Sequence, residues 1–388
     1  MNNSKRDFIR KAGLLGTAGI AATLPTLAGV SQINVGAKSS SVFNVKDFGA
    51  KGDGKTSDSA AIQKALDAAG KIQGTAYFPS GIYKCHDLNV SPNTTILAEP
   101  QFSYNNSDAG AVLTIDSEEA DCLLNITGAN GCHIRGIFLK GNRSASKIQH
   151  GIFFNQEKYT RENMPVIDDV RVNQFSGNGI YLVNIWVFII RHCIIISNGG
   201  HGISIRGWDG FVTDNQLSGN GKCGFITEPY GPTVMFTANR VEWNREYGLY
   251  LNDCDAWNVT GNCFDRNFGA AIYANKVSNA TFTGNVFRRN GKNPPANVLE
   301  GAEESCQMVI QSCRGITVTG NAGAVGQDDF GRGDFSPNYA FWLKDNSCSV
   351  ITANAFSYFK NLVLDKGGNS TDFLVNNNAG SLFEKPNE

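Results

Sequence analysis

At 388 residues the chain is long enough for a large buried core, and 41% hydrophobic against 18% charged residues excludes a disordered, highly charged polymer. A formal net charge of -1 excludes a broad basic footprint for DNA or RNA, so nucleic acid is not an expected partner and an acidic ligand needs a local cluster of cations. The 43 glycines against 11 prolines, with abundant Asn and β-branched residues, suggest many short strands joined by tight turns.

The first element stands outside the fold. Ser4-Lys5-Arg6-Asp7-Phe8-Ile9-Arg10 precedes an apolar run from Ala12 to Val30, broken by Pro25. The pattern resembles a twin-arginine export signal, with Lys5 where the first arginine usually stands; a Sec signal has the same basic-then-apolar order. The run is rich in Gly, Ala and Thr and barely long enough to cross a bilayer. A removed signal over residues 1–37 is therefore expected, without stable membrane insertion afterwards, giving a periplasmic or extracellular product.

Residues 42–84 read as a cap. Phe43-Asn44-Val45-Lys46-Asp47-Phe48-Gly49-Ala50-Lys51-Gly52-Asp53-Gly54 leads into Thr56-Ser57-Asp58 and a helical stretch from Ala60 to Ala69. Gly74-Thr75-Ala76-Tyr77-Phe78-Pro79-Ser80-Gly81-Ile82-Tyr83 follows. Ser57 or Asp58 can N-cap that helix, and Ile62, Ala65, Leu66 and Ala69 form an apolar face able to plug a solenoid end. These segments closely resemble the N-terminal cap of the pectate lyase-like superfamily, shared by polygalacturonases, several lyases and phage tailspikes. With the repeats that follow, the resemblance covers roughly residues 42–380; it implies the fold and leaves the chemistry open.

The repeats carry the fold. Anchors at Asn173, His192, Asn215, Asn239, Asn262 and Asn285 recur, from His192 onward, at steps of 23, 24, 23 and 23 residues, and Asn321 and Asn354 resume the series. A second turn is marked by Asn178, Asn198, Asn220, Asn244, Asn267 and Asn290, and a strand of the type Gly202-Ile203-Ser204-Ile205 follows it. One period thus holds three strands of 3–5 residues and three turns, with alternate residues facing in. The expected architecture is all-β: a right-handed parallel β-helix of about ten coils with one amphipathic cap helix, forming a single domain over 38–388. Asn suits tight turns and stacks into amide ladders, so these residues read as scaffold, with His192 as a substituted rung position. The ten cysteines fall at repeat positions and suggest no disulfide framework; Cys193 and Cys263 are expected at equivalent places three coils apart.

Stacking the Gly-Ile-x-Ile strands builds three columns on one exposed sheet. The first holds His150, Asn178, His201, Cys223, Tyr247 and Ala270. The second, outward at mid-strand, holds Phe153, Tyr181, Ser204, Ile226, Tyr250, Tyr273, Val309 and Trp342. The third holds Asn155, Val183, Arg206, Glu228, Asn252, Asn275, Gln311 and Lys344. Aromatic faces along a groove suit sugar rings. Gly200-His201-Gly202 matches the Gly-His-Gly motif of polygalacturonases, but the paired carboxylate motifs and the Arg-x-Lys motif of those enzymes are absent.

The columns fit elimination on a uronate better. Arg206 is expected to neutralise a carboxylate, His201 or His150 to act as base, and Tyr181 or Tyr250 to donate a proton, with Arg206 and Glu228 alternatively forming a surface ion pair. Asn178, Ser204, Glu228, Tyr247, Asn252, Tyr273, Asn275, Trp342 and Lys344 are the expected substrate contacts. Insertions at 141–149, 156–165, 291–305 and 323–337 rim the sheet; their acids Glu300, Glu303, Glu304, Asp328, Asp329 and Asp334 are available to a hydrolase or to Ca²⁺. No other cofactor is indicated, since no zinc spacing, Walker loop or dinucleotide fingerprint occurs. The expected protein is an exported enzyme cleaving a uronic-acid-containing polysaccharide, β-elimination preferred over hydrolysis. A non-catalytic glycan-binding or tailspike-like adhesion module is the rival, and monomer and trimer both stay open. Exported material should begin between about Ala28 and Lys38 on N-terminal sequencing; an uncleaved cytosolic product would contradict the export signal.

Overall fold

The computed structural model describes residues 41–104, 108–229, 231, 233–292, 305–327, 335–359 and 361–380. The export segment and the insertion acids at 300–304, 328, 329 and 334 lie outside the described residues. Among those described, no helix is long and apolar enough to cross a membrane.

The chain opens with the strand Val42–Asn44 and a short 3-10 turn, Val45–Phe48, then forms one α-helix, α1 (Ser59–Lys71), whose buried face is the expected Ile62, Ala65, Leu66 and Ala69. Asp58 occupies the N-cap position but does not cap with its side chain. Its carboxylate instead accepts the amides of Lys51 (2.7 Å) and Gly52 (3.0 Å), which folds the preceding loop onto the helix start.

Every strand pairing between named strands is parallel, within a 22-stranded and a 13-stranded sheet. The register follows the repeat: Ile180 pairs with Ile203, Ile203 with Phe225, Phe225 with Leu249, Leu249 with Ile272 and Ile272 with Met308. All six are fully buried, as period-2 alternation demands of the inward face. The 13 strands of the smaller sheet exceed the expected ten or so coils, because the cap segments and the C-terminal turns also stack as rungs. Three strand columns per coil hold with one difference. Ile180–Arg191 and Ile203–Thr213 run on through a bend at Asn184 and Asp209 (φ 57° each), so two columns of the larger sheet become continuous there. Inside the cylinder Phe236, Phe264, Phe287 and Phe356 stack with ring centroids 6.5, 5.6 and 6.3 Å apart.

Two amide ladders line the corners. Asn215, Asn239, Asn262, Asn285, Asn321, Asn354 and Asn378 form one, each Nδ2 donating to the next Oδ1 at 2.8–3.1 Å. Asn198, Asn220, Asn244, Asn267 and Asn290 form the other, which ends on Gln307. The left-handed conformation belongs to the residue before each amide rather than to the Asn: Asp214, Ala238, Gly261 and Gly284 in the first, Trp243, Arg266 and Arg289 in the second. His192 (φ 53°) is one of these corner residues, and Cys193 is the rung residue whose amide donates to Asn215 Oδ1 (3.0 Å). Two expectations change with that one-residue shift: His192 is not a ladder position, and Cys193 aligns with Asn262 rather than Cys263. Asn173 lies three places past the equivalent Val170 and pairs with Ile196, outside either ladder. None of the ten cysteines, all among the described residues, forms a disulfide.

The ladders also explain the repeated glycine. A Cβ on Gly202 would come within 2.8 Å of Asn220 Nδ2 and 2.6 Å of Gly224 O, so the second glycine of Gly-His-Gly is required by the corner and not by chemistry. Asn244 Nδ2 donates to Asn267 Oδ1 and Leu217 O, while its Oδ1 accepts two N–H groups of Asn220, all in the core. Asn244→Ala leaves several of these unpaired at about 1–3 kcal/mol each, and should lower the thermal midpoint by about 5 °C or more. An unchanged midpoint would mean the ladder adds nothing to stability.

Candidate functional site

The Gly-Ile-x-Ile strands stack as expected, and their register brings the three outward columns into line. Tyr181 lies opposite Ser204, Val183 opposite Arg206, Asn252 opposite Asn275 and Gln311 opposite Lys344. At the strand starts a further hydrogen-bond series climbs the corner. His150 Nδ1 accepts the Asn178 amide (3.0 Å), Asn178 Oδ1 accepts the His201 amide (2.9 Å), and His201 Nδ1 accepts the Cys223 amide (3.2 Å).

This series decides what the histidines can do. Burial pushes His150 down to about 4, and burial together with Lys222 pushes His201 down to about 3, so both rings are neutral near pH 7. A neutral ring whose Nδ1 accepts an amide carries its proton on Nε2. His150 and His201 therefore carry a hydrogen-bond donor at Nε2, and the base role expected of them does not fit this geometry. The His150 ring is also stacked on Tyr181, centroids 4.8 Å apart and 13° from parallel.

A groove beside this corner is lined by His201, Lys222, Glu228, Glu246, Tyr250 and Asn252, with Tyr247 in its wall. Arg206 and Tyr181 adjoin it through Glu228. Burial raises the Tyr181 hydroxyl and the Glu228 charge raises it further, while Arg206 works against both. The phenol stays protonated and the three groups feel one another's fields. Burial also raises Tyr250, helped by Cys223 and Glu246. The Arg206 side chain forms no ion pair or hydrogen bond among the described residues, and its Nε is buried without a partner. The surface ion pair with Glu228 considered from the sequence is not formed. Tyr159, from the insertion at 156–165, stacks on Trp208 at 3.7 Å and lies close enough for Arg206 to lower its hydroxyl against the effect of burial.

Other expected contacts are not available. Ser204 is 3% exposed, Tyr247 1%, Tyr273 0% and Trp342 1%. Tyr247, Tyr273 and Trp342 join Cys223, Ala270, Cys306 and Val309 in a second apolar cluster on the outer side of the sheet. Tyr273 stacks flat on Tyr250 at 4.8 Å, so the aromatic stripe packs on itself instead of forming a continuous open platform. Asn275 Nδ2 donates a hydrogen bond to Asn252 Oδ1 at 2.8 Å. Lys344 lies five coils from Arg206, about 24 Å along the axis, outside the cluster. The residues missed from sequence are Lys222 and Glu246 in the groove and Tyr159 near Arg206. The first two immediately precede Cys223 and Tyr247 in the first column and were legible by extending that column one place. Tyr159 has no repeat position to signal it.

Among the described residues, two sets of side chains are placed so that they could hold a metal ion. His201, Cys223 and Glu246 bring one donor atom each within 4.8 Å of one another, and the Cys223 thiol donates to Glu246 Oε2 at 3.4 Å. Nitrogen, sulfur and oxygen together suit zinc. Asp168, Asp169 and His192 form the other set, with His192 bridging Asp168 (3.1 Å) and Asp214 (3.2 Å). Neither set supplies the roughly six to eight oxygens that Ca²⁺ takes.

The family model for the right-handed β-helix region matches residues 135–325. The chain is similar to alginate lyase 7 of Azotobacter vinelandii, 29% identical over 199 residues, covering 47% of this chain and 23% of that protein. It is similar to mannuronan C5-epimerase AlgE3 of the same organism, 29% identical over 204 residues, covering 46% of this chain and 10% of that protein. The chain thus spans under a quarter of the length of these curated relatives. In structure it superposes on the A-module of mannuronan C-5 epimerase AlgE6 of A. vinelandii with a TM-score of 0.64 and 16% identity, covering 87% of this chain and 99% of that one.

The buried histidines set a pH signature. In the unfolded chain they protonate near 6.5, whereas in the folded protein they resist until about 4 and 3. Protons thus bind the unfolded state preferentially, and stability present at neutral pH is lost as pH falls from about 6.5 through 4. NMR titration should show neither ring protonating above about pH 5. His201→Asn keeps the acceptor for Cys223 and should soften the acid loss of stability. A midpoint near 6.5 for either histidine would overturn the burial argument.

Proposed function

We propose that this right-handed parallel β-helix of the pectate lyase-like superfamily is a carbohydrate-active enzyme that removes the C5 proton of a uronate residue in an acidic polysaccharide, with β-elimination as the outcome. The observation that carries the reading is Arg206: a guanidinium with a buried, unpartnered Nε beside the groove, between a protonated tyrosine and a glutamate. The terminal nitrogens of that guanidinium make no ion pair with a neighbouring carboxylate among the described residues, and a substrate carboxylate would meet them in a forked pair of hydrogen bonds. The similarity to an alginate lyase and a mannuronan epimerase, whose names both point to uronate polymers, supports the same substrate class.

The roles follow from charge state. Arg206 neutralises the C6 carboxylate, which lowers the cost of carbanion character at C5. Glu228 takes the C5 proton. The electron pair left behind forms the C4=C5 double bond as the C4–O4 bond breaks, and O4 receives the Tyr181 hydroxyl proton. His201 Nε2–H and Tyr250 hold the sugar by donating to its oxygens, and Asn252 stands along the groove as a further polar contact. Epimerisation shares the first step and differs only in returning a proton to the opposite face of C5, so the relatives keep it as the second reading.

Arg206→Ala and Tyr181→Phe should each lower turnover at least about a hundredfold with the thermal midpoint nearly unchanged. Wild-type product carrying a new ultraviolet-absorbing unsaturated end supports elimination. Deuterium incorporation at C5 without chain shortening makes the protein an epimerase. Reducing ends alone would make it a hydrolase, and binding without conversion of any acidic or neutral glycan would leave an adhesion module.

A further inference from the structure

Three donor atoms of different kinds meet in the wall of the groove. His201, Cys223 and Glu246 stand on three successive coils, and one ligand atom from each lies within 4.8 Å of the other two. The repeat does the positioning. His201 and Cys223 hold the place two residues before the first inward residue of their strands, and Glu246 is one place earlier on the next coil. The corner uses the backbone amide of Cys223 and not its thiol, and neither the thiol nor Glu246 has a part in the elimination chemistry.

Distance and charge both favour a divalent cation here. A tetrahedral zinc with bonds of about 2.0–2.3 Å keeps its donors about 3.5 Å apart, and Cys223 Sγ already stands 3.4 Å from Glu246 Oε2. A thiol is a weak hydrogen-bond donor, so it compensates a half-buried carboxylate poorly, and Glu246 makes no ion pair among the described residues. Cys223 is 1% exposed and packs in one cluster with Tyr247, whose hydroxyl is buried without a partner among the described residues. A doubly charged ion against one thiolate and one carboxylate leaves the set neutral, the condition under which buried charge is tolerated. Lys222 at the rim is exposed, so water screens its repulsion.

His201 offers the right nitrogen. Its proton is on Nε2, so the lone pair lies on Nδ1, the atom that faces Cys223. An ion there displaces the hydrogen bond from the Cys223 amide, which at 3.2 Å is the longest of the three in the corner series. Nε2–H stays available to a sugar oxygen. The set of Asp168, Asp169 and His192 is differently placed, because Asp168 is already held by Arg191 at 2.9 Å and by His192 at 3.1 Å.

We propose that His201 Nδ1, Cys223 Sγ and the Glu246 carboxylate bind a zinc ion whose fourth position opens on the groove, for water or a saccharide oxygen. All three ligands line the groove, which puts the open position on that side. The thiol proton leaves to solvent as the ion binds. Metal binding does not depend on the uronate reading of the groove.

The full chain, freed of metal with a chelator, is titrated with Zn²⁺ by calorimetry and with Co²⁺ by absorption spectroscopy. One ion per chain is expected, with a thiolate-to-cobalt charge-transfer band and the strong d–d bands of a tetrahedral site. Cys223→Ser and Glu246→Gln should each weaken Zn²⁺ binding at least about tenfold and leave the thermal midpoint of the metal-free protein nearly unchanged. Cys223→Ser should also erase the charge-transfer band. His192→Ala, the control for the other donor set, should bind as wild type does. Loss of binding in His192→Ala, or equal affinity of wild type and both groove variants, would overturn the site. So would the spectrum of an octahedral cobalt ion without sulfur. Azide should shift the cobalt bands, and bands that stay put would overturn the open fourth position.

Discussion

A coil that closes on itself inside a dry cylinder must turn several corners where backbone groups cannot reach water, and the rows of asparagine amides are what satisfy them. Each amide takes the backbone and side-chain N–H groups of the coil before it and donates onward, so one residue per corner serves two coils. This demands a left-handed residue just before the amide and little or no side chain where the next strand passes close, as at Gly202. The arrangement repeats with every coil, and it holds strands of distant sequence in register.

That register makes a site possible. Residues 22 to 24 positions apart in sequence become neighbours on the outer sheet, and Tyr181, Arg206 and Glu228 meet for no other reason. The same corner chemistry recruits His150, Asn178 and His201, whose acceptor atoms cap the coil above. The ring protons of the two histidines are thereby committed to Nε2, and the burden of accepting a proton passes to a carboxylate. Charge is distributed with the same economy. Beside the groove a guanidinium and a glutamate both act on the same tyrosine hydroxyl.

Legibility varied with how local the cause was. The Gly-Ile-x-Ile strands, the cap helix and the absence of disulfides were readable because alternation and spacing report which side chains face in. The one-residue slip at His192 was not, since an anchor one position away still looks like part of the series and only the pairing of Ile194 with Gln216 separates them. Phe153 and Tyr273 share a column and a chemistry, yet one is part-exposed and the other buried, because Tyr273 packs against the aromatic residues of neighbouring coils. Tyr159 approaches Arg206 from an irregular excursion, which periodicity cannot address.

The amino-acid sequence alone determined the solenoid, its direction of stacking and the membership of each outward column, because these follow from a period of about 23 residues and from alternation along a strand. It also placed a histidine, two tyrosines and an arginine on neighbouring coils. Tertiary structure decided exposure, tautomer and partnership: which aromatic rings stay open, which imidazole nitrogen holds the proton, and that Arg206 makes no ion pair with Glu228. Those properties depend on what atoms from remote segments lie within a few ångströms, and a one-dimensional pattern carries no record of that distance.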